Sequence, residues 1–212
     1  MTIVPQSHSL LPRALFFNGT FLLAMIALAL IRRRYWHRQR VVLGQSFIKR
    51  ESTLTEIRQL LAMVAFLVMT LHTIKPGLMP AMEAPLPYWV RGVGALLTLL
   101  AVGLLQRVTR EATALLQSPQ HRTLVTTGIY GMVRHPLYAA STVVAIAMTI
   151  LSANWVVAGL ALAFVVDLFV RAGRSDQRLA IEFGPAFTEY AARVPAFIPR
   201  RSDVTRAIGG HD

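Results

Sequence analysis

The chain has 212 residues, of which 54% are apolar and only 15% are charged. Soluble domains average about 25% charged residues, so this composition indicates a single lipid-embedded domain, residues 1–212. The formal net charge is +12, but the cations cluster at the ends of apolar runs, which argues against a nucleic-acid partner. The chain lacks cysteine, which excludes disulfides and thiolate metal ligands, and no metal site is predicted.

Apolar runs long enough to cross a bilayer, about 17–25 residues, recur along the chain. The first run, Ala14 to Ile31, ends at Arg32. Because the cations follow the apolar core instead of preceding it, the run is interpreted as a retained span and not as a signal peptide. The five predicted spans cover about residues 14–31, 60–79, 89–106, 136–151 and 154–171. The fold class is therefore predicted to be all-α, a polytopic membrane helix bundle.

The distribution of Lys and Arg predicts the orientation of this bundle. With the N-terminus outside, the outer segments carry only Arg13, Lys75 and Arg91, and the inner segments carry the other 19 of the 22 cations. Because cytoplasmic loops carry the excess of positive charge, the N-terminus is predicted outside and the C-terminus inside. The short chain and arginine-rich loops favour a bacterial inner membrane, with the active face in the cytoplasm.

Two polar segments, residues 122–138 and 171–199, are predicted to meet at the inner face. Pro136 suits the first position of the fourth span, where its missing N–H costs nothing, and His135 before it favours an extended conformation. Arg134 and the helix N-terminus favour an anionic ligand group there. The alternative is an ordinary start of a span, in which Arg134 extends towards water and His135 caps the helix.

Two spacings inside the spans favour structural roles. Asp167 and Arg171 lie four residues apart in the order that favours an ion pair within a helix. Gly92 and Gly94 lie inside the third span, where glycines allow close packing of helices. No glycine-rich nucleotide loop is present in the sequence.

The residues of both polar segments also carry a family resemblance. The first block contains Gly128, Tyr130, Val133, Arg134, His135, Pro136 and Tyr138. The second block contains Leu179, Phe183, Gly184, Tyr190, Arg193, Val194 and Pro195. In order and spacing the two blocks resemble the isoprenylcysteine carboxyl methyltransferase and phospholipid methyltransferase superfamily, over residues 124–199.

The resemblance implies an integral membrane methyltransferase that uses S-adenosylmethionine and acts on a lipophilic or small acceptor at the cytoplasmic face. It implies donor-binding roles for Tyr130, Arg134, His135, Tyr138 and Asp176. In the same way, it implies catalytic roles for Tyr190 and Arg193. The expected partners are the lipid bilayer and the methyl acceptor, whose identity stays open among an isoprenylcysteine, an amine-headed phospholipid and a small thiol.

Four positions depart from the family pattern. Ser175 stands where the first of two adjacent glutamates is usual, Ile129 where a proline is usual, Gly131 where arginine is common and Phe187 where tyrosine is frequent. The missing acid keeps a second hypothesis open, in which a degenerate relative serves as a structural or assembly subunit beside a membrane-protein partner. A third hypothesis is an NADPH-dependent enzyme that resembles sterol reductases.

Overall fold

The computed structural model describes residues 10–43, 64, 67–68, 80–116 and 124–200. This part of the chain is helical and contains no strand. A short 3-10 helix covers Pro80–Met82. The α-helices are α1 (Leu10–Leu43), α2 (Tyr88–Leu116), α3 (Ile129–Met132), α4 (Pro136–Ser152), α5 (Trp155–Phe183) and α6 (Pro185–Arg193). The predicted all-α architecture is therefore confirmed for the described residues.

Two of these helices are long and apolar enough to cross a membrane, at Tyr88–Ala114 and Trp155–Phe183. Two shorter apolar helical stretches cover Leu15–Ile31 and Pro136–Ser152. These four stretches correspond to four of the predicted spans, whereas all but three residues of the span predicted at 60–79 lie outside the described residues. The count of five spans and the orientation of the termini stay predictions.

The most extensive helix packing joins α2 to α4, and α1 packs against both. Where the start of α2 meets the end of α4, Gly94 lies so close to α4 that a Cβ atom would be 2.6 Å from Leu151 N and 2.9 Å from Ile150 C. At Gly92 no atom of the described residues lies within 4 Å of an added Cβ. The predicted packing role is thus confirmed for Gly94, whereas no described helix packs closely at Gly92.

The end of the bundle where α2 begins is held by contacts of Arg91 with α1 and with the end of α4. The Arg91 guanidinium lies 4.5 Å from the ring centre of Phe17, and Arg91 Nε donates to Leu151 O at 3.2 Å. Ala153 adopts a left-handed conformation that ends α4, and Asn154 Oδ1 caps α5 by accepting the backbone N–H groups of Val156 and Val157. These contacts fix the α4–α5 hairpin at the end opposite the candidate site.

Helices α1, α2 and α5 continue beyond the apolar runs that predicted them. At 1.5 Å per residue the 29 residues of α5 extend over about 43 Å, more than the roughly 30 Å of a hydrocarbon core. Helix α5 ends at Gly184, whose φ of 53° is left-handed, and Pro185 opens α6. The segment predicted from residue 171 therefore begins as an extension of α5 and turns back through α6.

Candidate functional site

The candidate site lies where α4 begins and the chain after α6 crosses it. Two backbone hydrogen bonds join these segments: Arg134 N–H donates to Pro195 O at 2.9 Å, and His135 N–H donates to Ala196 O at 3.0 Å. His135 has φ −122° and ψ 61°, which is outside the helical region but is not the extended conformation that its position before Pro136 predicts. The structure therefore brings residues 134–135 and 195–196 together, although they are about sixty positions apart in sequence.

Arg134 connects three parts of the chain through its guanidinium. Its Nη1 donates to Ala191 O at 2.8 Å and to Val194 O at 2.9 Å, and its Nη2 lies 3.0 Å from Asp176 Oδ2. Its Nε is buried and has no hydrogen-bond partner within the described ranges. The side chain of Arg134 is only 16% exposed, so it does not extend into water as the alternative interpretation of the sequence required. The guanidinium therefore uses three of its five N–H donors within the described residues.

His135 pairs with the second oxygen of the same carboxylate. Its Nε2 lies 2.9 Å from Asp176 Oδ1, and its side chain is 6% exposed. It makes no side-chain capping bond to α4, so the capping role considered from the sequence is not observed. Burial lowers the pKa of His135, and the attraction of Asp176 opposes that shift only in part. The imidazole is therefore neutral at pH 7, and Nε2 carries the proton that Asp176 accepts.

Aromatic rings surround this polar group on one side. The rings of Tyr138 and His135 are stacked with their centres 5.6 Å apart. Phe197 lies 5.7 Å from His135 and 4.4 Å from Phe169, which is half exposed on α5. The aromatic contacts therefore lead from the buried imidazole to the surface of α5.

Tyr190 anchors α6 to the short helix α3. Its hydroxyl donates to Tyr130 O at 2.7 Å, and its side chain is buried beside Phe187. Burial raises the pKa of Tyr190 to about 12. The phenol therefore stays protonated at neutral pH, and its hydroxyl holds the Tyr130 backbone in place, while the catalytic role predicted for Tyr190 stays a prediction.

Arg193 and Ser175 are not joined to the Asp176 cluster by any hydrogen bond or ion pair within the described ranges. Arg193 is exposed, and its Nε donates to Glu189 O at 3.3 Å within α6. Ser175 is half buried on α5 directly before Asp176. The catalytic role predicted for Arg193 stays a prediction. The ion pair predicted between Asp167 and Arg171 is present, with Oδ2 3.0 Å from Nε.

Two contributors to the site were absent from the sequence interpretation. Glu111, near the end of α2, accepts the backbone N–H of Ile129 at 2.9 Å. Phe197 lies beyond the matched second block and contacts His135. One feature of the sequence could have identified Glu111: it is the only acidic residue between Arg107 and His135, in an otherwise basic connector. No sequence feature could have identified Phe197, because it is an isolated aromatic residue that belongs to no recognisable pattern.

The lowered pKa of His135 predicts a pH dependence of stability. Its folded value lies below the unfolded value of about 6.5, so the unfolded state binds the proton more readily. The free energy of unfolding therefore has its full value above about pH 6.5. It falls as the pH is lowered below that value, by at most about 1.4 kcal/mol per pH unit. Thermal unfolding in detergent, compared with His135→Asn, should show this loss in the wild type alone. Equal pH profiles for both proteins would contradict the prediction.

Comparisons with known proteins point to the same region of the chain. Residues 93–181 match the isoprenylcysteine carboxyl methyltransferase (ICMT) family. The match includes Tyr130, Arg134, His135, Tyr138 and Asp176 and ends before α6.

Three curated relatives share part of their sequence with this chain. The cobalt-zinc-cadmium resistance protein CzcN of Cupriavidus metallidurans is 38% identical over 84 residues. The nickel-cobalt-cadmium resistance protein NccN of Alcaligenes xylosoxydans xylosoxydans is 41% identical over 80 residues. The protein-S-isoprenylcysteine O-methyltransferase B of Arabidopsis thaliana is 30% identical over 122 residues. The alignments cover 39%, 37% and 53% of this chain and 38%, 37% and 60% of the relatives, which is less than two thirds of each.

Proposed function

The chain belongs to the isoprenylcysteine carboxyl methyltransferase-like superfamily, and on that premise we propose that it is a membrane methyltransferase that uses S-adenosylmethionine. The observation that carries the proposal is the arrangement of Arg134 and His135 around the single carboxylate of Asp176. This cluster joins α4 to α5, while the backbone N–H groups of Arg134 and His135 pair with the chain after α6. The proposed site faces the cytoplasm, and the proposed acceptor is lipophilic or small.

The residues of the cluster have the chemistry that the methyl donor requires. The positive charge of Arg134 suits the carboxylate of S-adenosylmethionine, and its buried Nε has no acceptor within the described ranges. Asp176 accepts one bond on each oxygen, and an ionised carboxylate has about four acceptor positions, so it retains capacity for an ammonium or for ribose hydroxyls. The faces of Tyr130 and Tyr138 are suited to a sulfonium cation.

S-Adenosylmethionine supplies an electrophilic methyl group. The main task of the protein is therefore to position the donor and the acceptor, and it need not form a covalent bond to either. Arg134, held by three acceptors, and His135, held by one carboxylate and one ring stack, keep fixed orientations. Fixed binding groups hold donor and acceptor in line and lower the entropic part of the barrier. Tyr190 keeps its proton at neutral pH, so we assign it the role of holding the Tyr130 backbone.

A second candidate function is a non-catalytic subunit of a membrane complex. Two observations favour it: Ser175 replaces one family acid, and two relatives carry the names of metal-resistance proteins. The contacts of Asp176 also satisfy Arg134 and His135 largely within the fold. A cluster of this kind would stabilise the protein without any ligand.

Ligand-dependent thermal stability in detergent separates these candidates. A ligand at one hundred times its dissociation constant stabilises a protein by about 2.7 kcal/mol. We expect stabilisation by S-adenosylhomocysteine and none by NADPH. Stabilisation by neither favours the subunit, and stabilisation by NADPH favours a reductase.

The same assay tests the site through His135. We expect His135→Ala to abolish stabilisation by S-adenosylhomocysteine while the protein is still expressed, because the imidazole and the backbone around it form one wall of the proposed site. Glu182→Ala, which changes an exposed residue of α5, is the matched control and should keep the full response. An unchanged response in His135→Ala would remove the site assignment.

A further inference from the structure

Glu111 fixes the start of the segment that leads into the candidate site. It lies near the end of α2, and its Oε1 accepts the backbone N–H of Ile129 at 2.9 Å. Ile129 is the first residue of α3, and Gly128 before it offers no side-chain cap. The carboxylate therefore satisfies a free N–H at a helix start from a different helix, where a negative charge is also favourable.

The helix that Glu111 holds is connected directly to the site. The carbonyl of Tyr130, one residue further, accepts the hydroxyl of Tyr190 at 2.7 Å. Helix α3 ends at Met132, and Arg134 and His135 follow after one residue. A displacement at Ile129 would therefore reach both the contact with α6 and the residues that pair with Asp176.

The hydrogen bond from Ile129 to Glu111 also bears on one departure from the family pattern, the isoleucine at a position where proline is usual. Proline has no backbone N–H, so a proline at position 129 could not donate to Glu111. Isoleucine at this position supplies the donor. In this chain the backbone at position 129 is held by a hydrogen bond to α2.

We propose that Glu111 is a positioning residue for the methyl-donor site and acts through α3 on Tyr130, Arg134 and His135. This inference rests on the proposed function. Glu111 touches neither donor nor acceptor in this account. Its effect is therefore on the affinity for the donor, and the affinity for the acceptor is unchanged.

The test uses the full-length protein in detergent and calorimetric titration with S-adenosylhomocysteine. Glu111→Ala is expected to raise the dissociation constant about tenfold, the factor that corresponds to 1.4 kcal/mol. Glu111→Gln keeps an acceptor oxygen and is expected to bind within about threefold of the wild type. Where the transfer reaction is measured, the KM for S-adenosylmethionine should rise and the KM for the acceptor should not.

Ile129→Pro removes the donor of the same bond and leaves Glu111 intact. It should weaken binding as Glu111→Ala does, and the double variant should be no weaker than either single variant, because both changes remove one interaction. If Glu111→Ala does not fold, the dissociation constant of Ile129→Pro for S-adenosylhomocysteine tests the positioning role by itself. Glu189→Ala, an exposed acid on α6, is the control and should bind as the wild type does.

The outcomes separate this inference from the proposed function. A wild type that does not bind S-adenosylhomocysteine overturns the proposed function and this inference with it. A wild type that binds, with Glu111→Ala and Ile129→Pro binding equally well, overturns the positioning role and leaves the methyltransferase proposal in place. Additive losses in the double variant would likewise overturn it.

Discussion

Replacing Asp176 with alanine is expected to destabilise the protein by about 3 kcal/mol and to abolish donor binding. The change leaves the guanidinium of Arg134 and the imidazole of His135 partly buried without the carboxylate that both contact. A buried charge without its partner costs more than the pair contributed, because its desolvation is no longer offset. Thermal unfolding and titration with S-adenosylhomocysteine measure the two effects.

Asp167→Ala is the matched control for this experiment. It also removes an aspartate of α5 that is ion-paired with an arginine, but the pair lies four residues apart on one helix. The side chains of Arg171 and Asp167 are 14% and 31% exposed, much like those of the Asp176 pair, so a loss of stability is expected here too, but donor binding should be unchanged. If Asp176→Ala and Asp167→Ala behaved alike in both measurements, the central role of Asp176 would be wrong.

Gly94→Ala is expected to destabilise the helix bundle by about 1–3 kcal/mol, the cost of overpacking a close interface. The added methyl group would lie 2.6 Å from a backbone nitrogen of α4, and a backbone atom cannot move aside as a side chain can. Helices α2 and α4 would have to separate along the most extensive contact in the fold. Thermal unfolding in detergent measures the loss.

Gly92→Ala tests whether this effect comes from contact and not from the loss of glycine. It is the same substitution two residues earlier on α2, where a Cβ atom meets nothing within 4 Å. It should be neutral or slightly stabilising, because alanine favours a helix by up to about 1 kcal/mol over glycine. Equal destabilisation by both substitutions would contradict the packing described for α2 and α4.

Local chain chemistry made the helix boundaries near the site predictable. Pro136 can begin a helix but cannot lie within one. In the same way, Gly184 and Pro185 end α5 and begin α6. Both boundaries lie where the sequence predicted them. Hydropathy predicted where the apolar stretches lie but not where helices α1, α2 and α5 end, because a helix can continue into water after the apolar residues stop.

The contacts inside the site were less predictable than its location. The sequence suggested that Arg134 and Asp176 belong to one site, through the family resemblance, but not that they contact each other. The contact between Glu111 and Ile129 depends on how the connector folds back onto α2, and no repeat or motif encodes that fold. Gly94 could be recognised as a packing residue, whereas its contact with α4 instead of another helix required coordinates.

The central claim is that the segment before Pro136 and the segment around α6 form one donor site. Photo-crosslinking of radiolabelled S-adenosylmethionine to the purified protein, followed by mapping of the labelled peptides, tests it most directly. We predict label in peptides from residues 129–138 and from residues 169–197, removed by excess S-adenosylhomocysteine. Label confined to other parts of the chain, or label that excess S-adenosylhomocysteine does not reduce, would contradict the claim.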